Sequence, residues 1–128
     1  MPSDSTPREL DGWKVLVVED QPLEALDYCD RLIEAGAEIV GPVSSVAEAL
    51  DIVGRERVDV ALLDYALADQ NSQKLQVALD AHRIPFVVLT GYPLVLVRRD
   101  EQQKVLSKPV SAHLLRLSVR AAAMSADR

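Results

Sequence analysis

The chain has 128 residues, a hydrophobic fraction of 48% and a formal net charge of −6. This length suits one domain, and the hydrophobic content is too high for an intrinsically disordered chain. The acidic charge argues against non-specific nucleic-acid binding, and no apolar run approaches the roughly 20 residues of a membrane helix. The single cysteine, Cys29, cannot form an internal disulfide and fits a reducing cytosol. We therefore expect a cytoplasmic protein without nucleic-acid or membrane partners.

Hydrophobic runs alternate with helical periodicities along the chain. Two prolines and several small polar residues in 1–12 predict a flexible N-terminal tail, followed by one domain over 13–124 and a short tail over 125–128. Helices are predicted from Pro22 to about Gly36, over 46–54, around Leu75–His82 and after Ser111, with 94–103 suited to a short or irregular fourth helix or to a strand. The predicted strands are 14–18, 37–43, 58–63, 85–89 and 104–107. This alternation indicates an α/β fold with a parallel sheet and right-handed crossovers.

Local signals support two of these helices. Ser45 and Glu48 fit a capping box, in which the serine side chain bonds the backbone at Glu48 and the glutamate reaches back. In the first helix, apolar residues recur at helical spacing and a glycine stands where the helix should stop. These apolar residues are Leu23, Leu26, Cys29 and Ile33.

Polar side chains stand where four of the hydrophobic runs stop. Glu19 and Asp20 follow the first run, Asp64 follows the third, Thr90 follows the fourth and Lys108 follows the fifth. The C-terminal ends of parallel strands form one edge of an open α/β sheet, which is where ligands bind. Three carboxylates, a hydroxyl and an ammonium are therefore predicted to converge at that edge.

These residue types suit phosphoryl transfer. A carboxylate such as Asp64 can act as a nucleophile and form an aspartyl phosphate. The transfer requires in-line positioning and neutralisation of charge on the phosphoryl oxygens, which magnesium provides when it is held by one or two carboxylates. Asp20 is the best second ligand, and Glu19 lies beside it. Lys108 and the Thr90 hydroxyl can each pair with a phosphoryl oxygen.

In this order, and with Pro109 after the lysine, the residues resemble those of CheY-like receiver domains of response regulators. The resemblance covers roughly residues 13–123 and implies a flavodoxin-like strand order, 2-1-3-4-5, with helices on both faces of the sheet. It assigns Asp64 as the phosphoacceptor and Thr90 as the switch hydroxyl. It also matches Glu19 and Asp20 to the acidic pair of the family, and Lys108 and Pro109 to its Lys-Pro pair.

The resemblance also implies a function in two-component signalling. Asp64 would take a phosphoryl group from a sensor histidine kinase or a histidine phosphotransfer protein and act as a switch or phosphorelay intermediate. Such a protein catalyses only its own phosphorylation and dephosphorylation, so we do not class it as an enzyme. The implied magnesium ligands are Asp20, Asp64 and the backbone carbonyl of Ala66, with Glu19 helping through water.

Several positions depart from the family pattern. Residues 86–92 only partly match the Phe-Ala-Thr-Gly-Tyr motif of an alphaproteobacterial receiver subfamily, since Val88-Leu89 stands where Phe-Ala would be. The aromatic switch position three residues before Lys108 holds Val105, which makes Tyr92 a candidate substitute. The loop over 65–72 lacks the proline and glycine of the usual turn.

Other interpretations remain open at this stage. Each site residue has a structural alternative, such as a helix cap for Asp20, a solvated loop carboxylate for Asp64 and a packed surface ring for Tyr92. A receiver-like interaction module that never uses phosphate is the alternative function.

A nucleotide-binding protein is disfavoured because no glycine-rich loop follows the first strand. Only 19 residues follow Pro109, so we expect a stand-alone domain, monomeric or weakly dimeric.

Overall fold

The computed structural model describes residues 8–91 and 105–125, which contain five strands and four helices. The predicted fourth helix and Tyr92 lie outside these residues, and so do residues 1–7 and 126–128. The strands are β1 Lys14–Val18, β2 Glu38–Val43, β3 Val60–Asp64, β4 Phe86–Thr90 and β5 Val105–Ser107. The helices are α1 Pro22–Glu34, α2 Val46–Arg55, α3 Gln73–Ala81 and α4 Ala112–Ser125.

All strands pair in parallel, in the order β2-β1-β3-β4-β5. This confirms the predicted α/β fold and its flavodoxin-like strand order. The order reverses beside β1, so the C-terminal ends of β1 and β3 are neighbours at the position where ligands bind in such sheets. The polar residues that follow these strands therefore face one crevice.

The helices cover both faces of the sheet, as predicted. Successive strand residues point to opposite faces, so Val15 and Val17 of β1 pack with α1 and α4, whereas Leu16 and Val18 pack with α2 and α3. Burial on both faces explains why the three central strands, β1, β3 and β4, are continuous hydrophobic runs rather than alternating ones. Within the described residues, no helix combines the length and apolarity needed to cross a membrane.

Helix α1 leaves three of its large aliphatic residues exposed. Leu23, Leu26 and Ile33 are 83%, 58% and 54% exposed. The buried positions are Ala25, Tyr28, Cys29 and Leu32. Helical spacing predicted the helix correctly, but apolar residues lie on more than one of its faces, and packing against the sheet selects among them.

Residues 8–12, which the sequence analysis assigned to the tail, pack against the domain. Leu10 is fully buried in the core between the sheet, α1 and α4, and its N–H donates to the carbonyl of Ala35 at 2.8 Å. Glu9 forms an ion pair with Arg116 of α4 at 3.6 Å. The folded unit therefore extends at least to Glu9, because Leu10 belongs to the core and Glu9 pairs with α4.

A glycine in β2 allows the bend that positions the backbone of Glu19 at the crevice. Gly41 has a φ of +96°, and the pairing of β1 with β2 shifts register around it, so that Val18 pairs with Val43. A Cβ atom at Gly41 would lie 2.9 Å from the Val43 nitrogen and 3.2 Å from the Val17 carbonyl oxygen. The N–H of Glu19 donates to the Val43 carbonyl at 2.9 Å, so this bend in β2 anchors the backbone of the acidic pair.

Candidate functional site

Three predicted carboxylates meet at the C-terminal edge of the sheet. Glu19 and Asp20 directly follow β1, and Asp64 is the last residue of β3. One carboxylate oxygen from each lies within 4.8 Å of the others. Glu19 and Asp64 are only 3% and 7% exposed, whereas Asp20 is half-buried. Two buried acids and one accessible acid therefore share a small space in which a cation would be stabilised.

Lys108 brings a positive charge to these carboxylates from the end of β5. Its Nζ lies 2.7 Å from Oδ1 of Asp64 and 3.4 Å from Oε1 of Glu19. Its backbone N–H donates to the carbonyl oxygen of Thr90 at 2.8 Å, which extends the β4–β5 pairing by one step. The parallel pairing of β4 with β5 therefore places the Lys108 ammonium beside the carboxylate of Asp64, the candidate phosphoacceptor.

The other predicted residues occupy different surroundings. Thr90 is buried at the end of β4, beside the strand that carries Asp64, and its partner in β5 is Ser107. Ala66 is exposed, two residues beyond Asp64. Val105 is buried in the core formed with α2 and α3, so this position holds a packing residue rather than a switch aromatic.

Burial is the main influence on the ionisation of the two buried carboxylates, and nearby charges modify it. Burial, together with the charge of Asp64, raises the pKa of Glu19 to about 7, although the backbone N–H of Gln21 opposes this by donating to Oε2 at 3.0 Å. Burial also raises the pKa of Asp64, although Lys108 opposes the shift. Burial lowers the pKa of Lys108, but contacts with Asp64 and Glu24 outweigh it and raise the pKa overall. The site holds more negative charge than one ammonium neutralises.

One member of the site was missed by the sequence analysis. Oε1 of Glu24, in the first turn of α1, lies 2.8 Å from Nζ of Lys108. It also accepts a hydrogen bond from the Tyr28 hydroxyl at 3.3 Å. The position of Glu24 in the sequence could have indicated this, because α1 begins directly after the acidic pair. Its first turn must therefore lie near the C-terminal edge of the sheet. Burial raises the pKa of the Tyr28 phenol, so the hydroxyl stays protonated and can donate.

The loop after Asp64 has its own hydrogen bonds in place of a turn with proline and glycine. The N–H of Leu67 donates to the carbonyl of Gln70 at 3.1 Å, and Ala66 pairs with Asn71 in an antiparallel bridge. Asp69 reaches α2, where the N–H of Val46 donates to its Oδ1 at 3.1 Å. This loop is therefore fastened to the neighbouring helix.

The structure contains both bonds of the predicted capping box at the start of α2, but the return bond from Glu48 has a different partner. The Ser45 side chain accepts from the N–H of Glu48 at 3.2 Å. Glu48 reaches back to the N–H of Ser44 at 3.2 Å rather than to that of Ser45. With Asp69, the start of α2 is held by two carboxylates, one from its own first turn and one from the loop after β3.

No family model matches this chain. The solution structure of SdrG from Sphingomonas melonis Fr1 is 34% identical, with a TM-score of 0.75, over 91% of this chain and 98% of that one. The fold also matches the receiver domain of the sensor histidine kinase PA1611 from Pseudomonas aeruginosa PAO1, with a TM-score of 0.77 and 23% identity over 89% and 99% of the two chains. That crystal structure has a magnesium ion coordinated in its active-site cleft.

Similarity also extends to curated regulators. The phyllosphere-induced regulator PhyR of Methylorubrum extorquens is 29% identical over 102 residues, which are 75% of this chain and 38% of PhyR. This chain spans less than half the length of the curated proteins it matches. The likeness therefore concerns one domain of those proteins.

Proposed function

Since this chain belongs to the receiver-domain family of response regulators, we propose that Asp64 accepts a phosphoryl group from a histidine kinase or a histidine phosphotransfer protein. The observation that carries this proposal is the buried carboxylate of Asp64 within 2.7 Å of the Lys108 ammonium and beside two further acids. The phosphorylated domain would act as a switch or as an intermediate in a phosphorelay. It would modify only itself, so it is not an enzyme acting on other substrates.

The chemistry follows from the placement of Asp64. One of its carboxylate oxygens attacks phosphorus in line with the bond to the donor nitrogen, and the O–P bond forms as the P–N bond breaks. The electron pair of the broken bond stays on that ring nitrogen, and the donor departs as a neutral imidazole because its other ring nitrogen already carries a proton. Lys108 then pairs with a phosphoryl oxygen instead of the free carboxylate. Thr90, at the end of the adjacent strand, is the proposed hydroxyl donor to a second oxygen.

The acidic residues fit a divalent cation. Their ligand atoms lie within 4.8 Å of one another. Burial, together with the charge of Asp64, raises the pKa of Glu19, and a divalent cation would offset both effects. Asp20, Asp64 and the Ala66 carbonyl are the proposed direct ligands, with Glu19 acting through water. Magnesium bound there would neutralise charge on the phosphoryl oxygens. The magnesium in the cleft of the PA1611 receiver domain supports this choice of metal.

The test is intact mass after incubation with magnesium and phosphoramidate. The wild type should gain one phosphoryl group, about 80 Da, and Asp64→Asn should gain none. Asp51→Asn is the matched control, because Asp51 lies on α2 in an exposed ion pair with Arg55 at 2.8 Å. It should be phosphorylated like the wild type.

The alternative function is phosphorylation-independent binding, favoured by the altered loop after Asp64 and by the valine at position 105. Binding of beryllofluoride, a phosphoryl analogue, distinguishes the two through the fluorine NMR signal of the bound species. A wild type that forms no adduct and binds no beryllofluoride, while its circular dichroism shows a folded domain, would exclude the phosphorylation proposal and support the alternative.

A further inference from the structure

Among the residues that the structure describes, three carboxylates lie beside the Lys108 ammonium. Its Nζ lies 2.7 Å from Asp64, 2.8 Å from Glu24 and 3.4 Å from Glu19. An ammonium has three N–H donors. Nζ donates hydrogen bonds to Glu24 and Glu19, whereas its contact with Oδ1 of Asp64 is an ion pair outside hydrogen-bond geometry. A phosphoryl group on Asp64 adds further oxygens that compete for the same three donors.

The three carboxylates differ in how easily they can give up the lysine. The side chains of Glu19 and Asp64 are 1% and 9% exposed, whereas that of Glu24 is 45% exposed. A buried carboxylate that loses its cation is strongly destabilised, because water cannot replace the lost interaction. An exposed carboxylate loses little when an ion pair breaks. Glu24 is thus the partner that Lys108 can release at least cost.

The surroundings of Glu24 favour the contact while Asp64 is unmodified. The Tyr28 hydroxyl, one helical turn further along α1, donates to the same Oε1 atom at 3.3 Å. This bond holds the carboxylate on the side of α1 that faces Lys108. The contact joins the first turn of α1 to the residue after β5, two parts of the chain that lie 84 residues apart.

Resting on the function proposed above, we propose that Glu24 is a positioning residue that restrains Lys108 in the unphosphorylated protein and yields it to the phosphoryl oxygen on Asp64. The step is an exchange of ion-pair partners, in which Lys108 stays protonated and Glu24 turns to solvent. Because Glu24 competes for the ammonium and repels an anionic donor, its carboxylate slows phosphorylation.

The kinetic test compares initial phosphorylation rates by intact mass, with phosphoramidate and magnesium, in the full chain. Glu24→Gln keeps the side-chain shape without its charge and should be phosphorylated about three- to tenfold faster than the wild type. Asp27→Asn is the matched control, since Asp27 lies on the same helix, is 52% exposed and pairs with Arg31 at 2.9 Å. Its rate should stay within about twofold of the wild type, because solvent and salt screen its charge.

A spectroscopic test reports the exchange itself. In NMR spectra of protein with isotopically labelled lysine, the Lys108 side-chain signal should move in Glu24→Gln and stay in place in Asp27→Asn. After beryllofluoride binds, the Lys108 signals of the wild type and Glu24→Gln should converge, because Glu24 no longer contacts the ammonium. A purely structural role for Glu24 would preserve the difference between the two proteins in both states.

Two kinds of failure can be told apart. If the wild type forms the adduct but Glu24→Gln is no faster, or Asp27→Asn accelerates equally, the role of Glu24 is overturned and the phosphorylation proposal stands. The same holds if the two Lys108 signals fail to converge. If the wild type forms no adduct and binds no beryllofluoride, both proposals are overturned.

Discussion

At the residue scale, the chemistry of the site depends on where negative charge is buried. Glu19 and Asp64 are almost inaccessible to water, and burial together with the charge of Asp64 raises the cost of ionising Glu19. Lys108 offsets part of this cost from 2.7 Å and 3.4 Å away. This concentration of buried negative charge is the physical basis of the proposed binding of a divalent cation.

This cost predicts a pH-dependent stability. The pKa of Glu19 is about 7 in the folded protein against an ordinary 4.5, so the folded state holds a proton that the unfolded state releases. The contribution of Glu19 to stability is therefore greatest below about pH 4.5 and is lost as the pH rises through about 7. In metal-free buffer, Glu19 should lower the free energy of unfolding by about 2–3 kcal/mol between about pH 5 and about pH 8.

Urea denaturation of the wild type and Glu19→Gln at both pH values checks this expectation. The glutamine variant removes the titrating group, so its stability should fall less as the pH rises. Equal pH dependence in the two proteins would show that Glu19 is not the group responsible.

At the scale of elements, contacts outside the regular elements complete the core. Leu10 lies before β1, yet it is fully buried between α1, α4 and the sheet. Its backbone also bonds to the end of α1 through Ala35. The segment over 8–12 thus seals a core that the strands and helices leave open at one end.

Replacing this side chain should be costly. Leu10→Ala is expected to lower the free energy of unfolding by about 2–5 kcal/mol, because it removes a buried side chain and leaves a cavity. Leu23→Ala is the matched control, since Leu23 is 83% exposed. That substitution should change stability by less than about 0.5 kcal/mol. Urea denaturation measures both, and equal effects would contradict the docking of residues 8–12.

A second element-scale contact joins the loop after Asp64 to α2. Asp69 accepts from the N–H groups of Val46 and Ala47 at 3.1 Å and 3.4 Å, and these bonds lower the pKa of its carboxyl. In Asp69→Ala, the amide hydrogens of Val46 and Ala47 should exchange with solvent faster. This protection is present above the ordinary pKa of 3.8 and is lost as the pH falls through the lowered value.

Hydrogen exchange measured by NMR tests the contact, with Asp51→Ala as the control. Asp51 also lies on α2, but it pairs with Arg55 and does not touch the start of the helix. Its removal should leave the exchange of Val46 and Ala47 unchanged. Unchanged exchange in Asp69→Ala would show that Ser45 and Glu48 alone hold the start of α2.

At the scale of the whole molecule, one sheet supports two hydrophobic cores. Each central strand contributes alternate residues to both cores, so neither can lose its packing without disturbing the strands of the other. Both cores are therefore expected to unfold in a single cooperative transition.

Trp13 and Ile52 allow a direct test, since they lie on opposite sides of the sheet. Trp13 packs against the α1–α4 core, and Ile52 of α2 is buried in the other. Ile52→Ala should destabilise the protein by about 2–5 kcal/mol, and Trp13 fluorescence should report the same shift as far-UV circular dichroism. Val77→Ala, at a position 69% exposed on α3, should shift neither. Separate transitions from the two probes would contradict a shared core.

The pattern of hydrophobic and polar residues was sufficient to predict the fold class and the convergence of the site residues. Strands buried on both faces must be continuous hydrophobic runs, and a polar residue at the end of each run must emerge at one edge when the strands are parallel. This is why Glu19, Asp20, Asp64 and Lys108 could be placed together before any contact was known. Strand order came from the family resemblance rather than from the pattern of residues.

Only the tertiary structure decided the contacts between distant segments. The buried face of α1, the docking of Leu10, the bond from Asp69 to α2 and the contact of Glu24 with Lys108 follow from how packed elements approach one another. Local propensity and periodicity carry information over a few residues, whereas the last of these contacts spans 84. Its geometry depends on the packing of the whole domain, which no local pattern encodes.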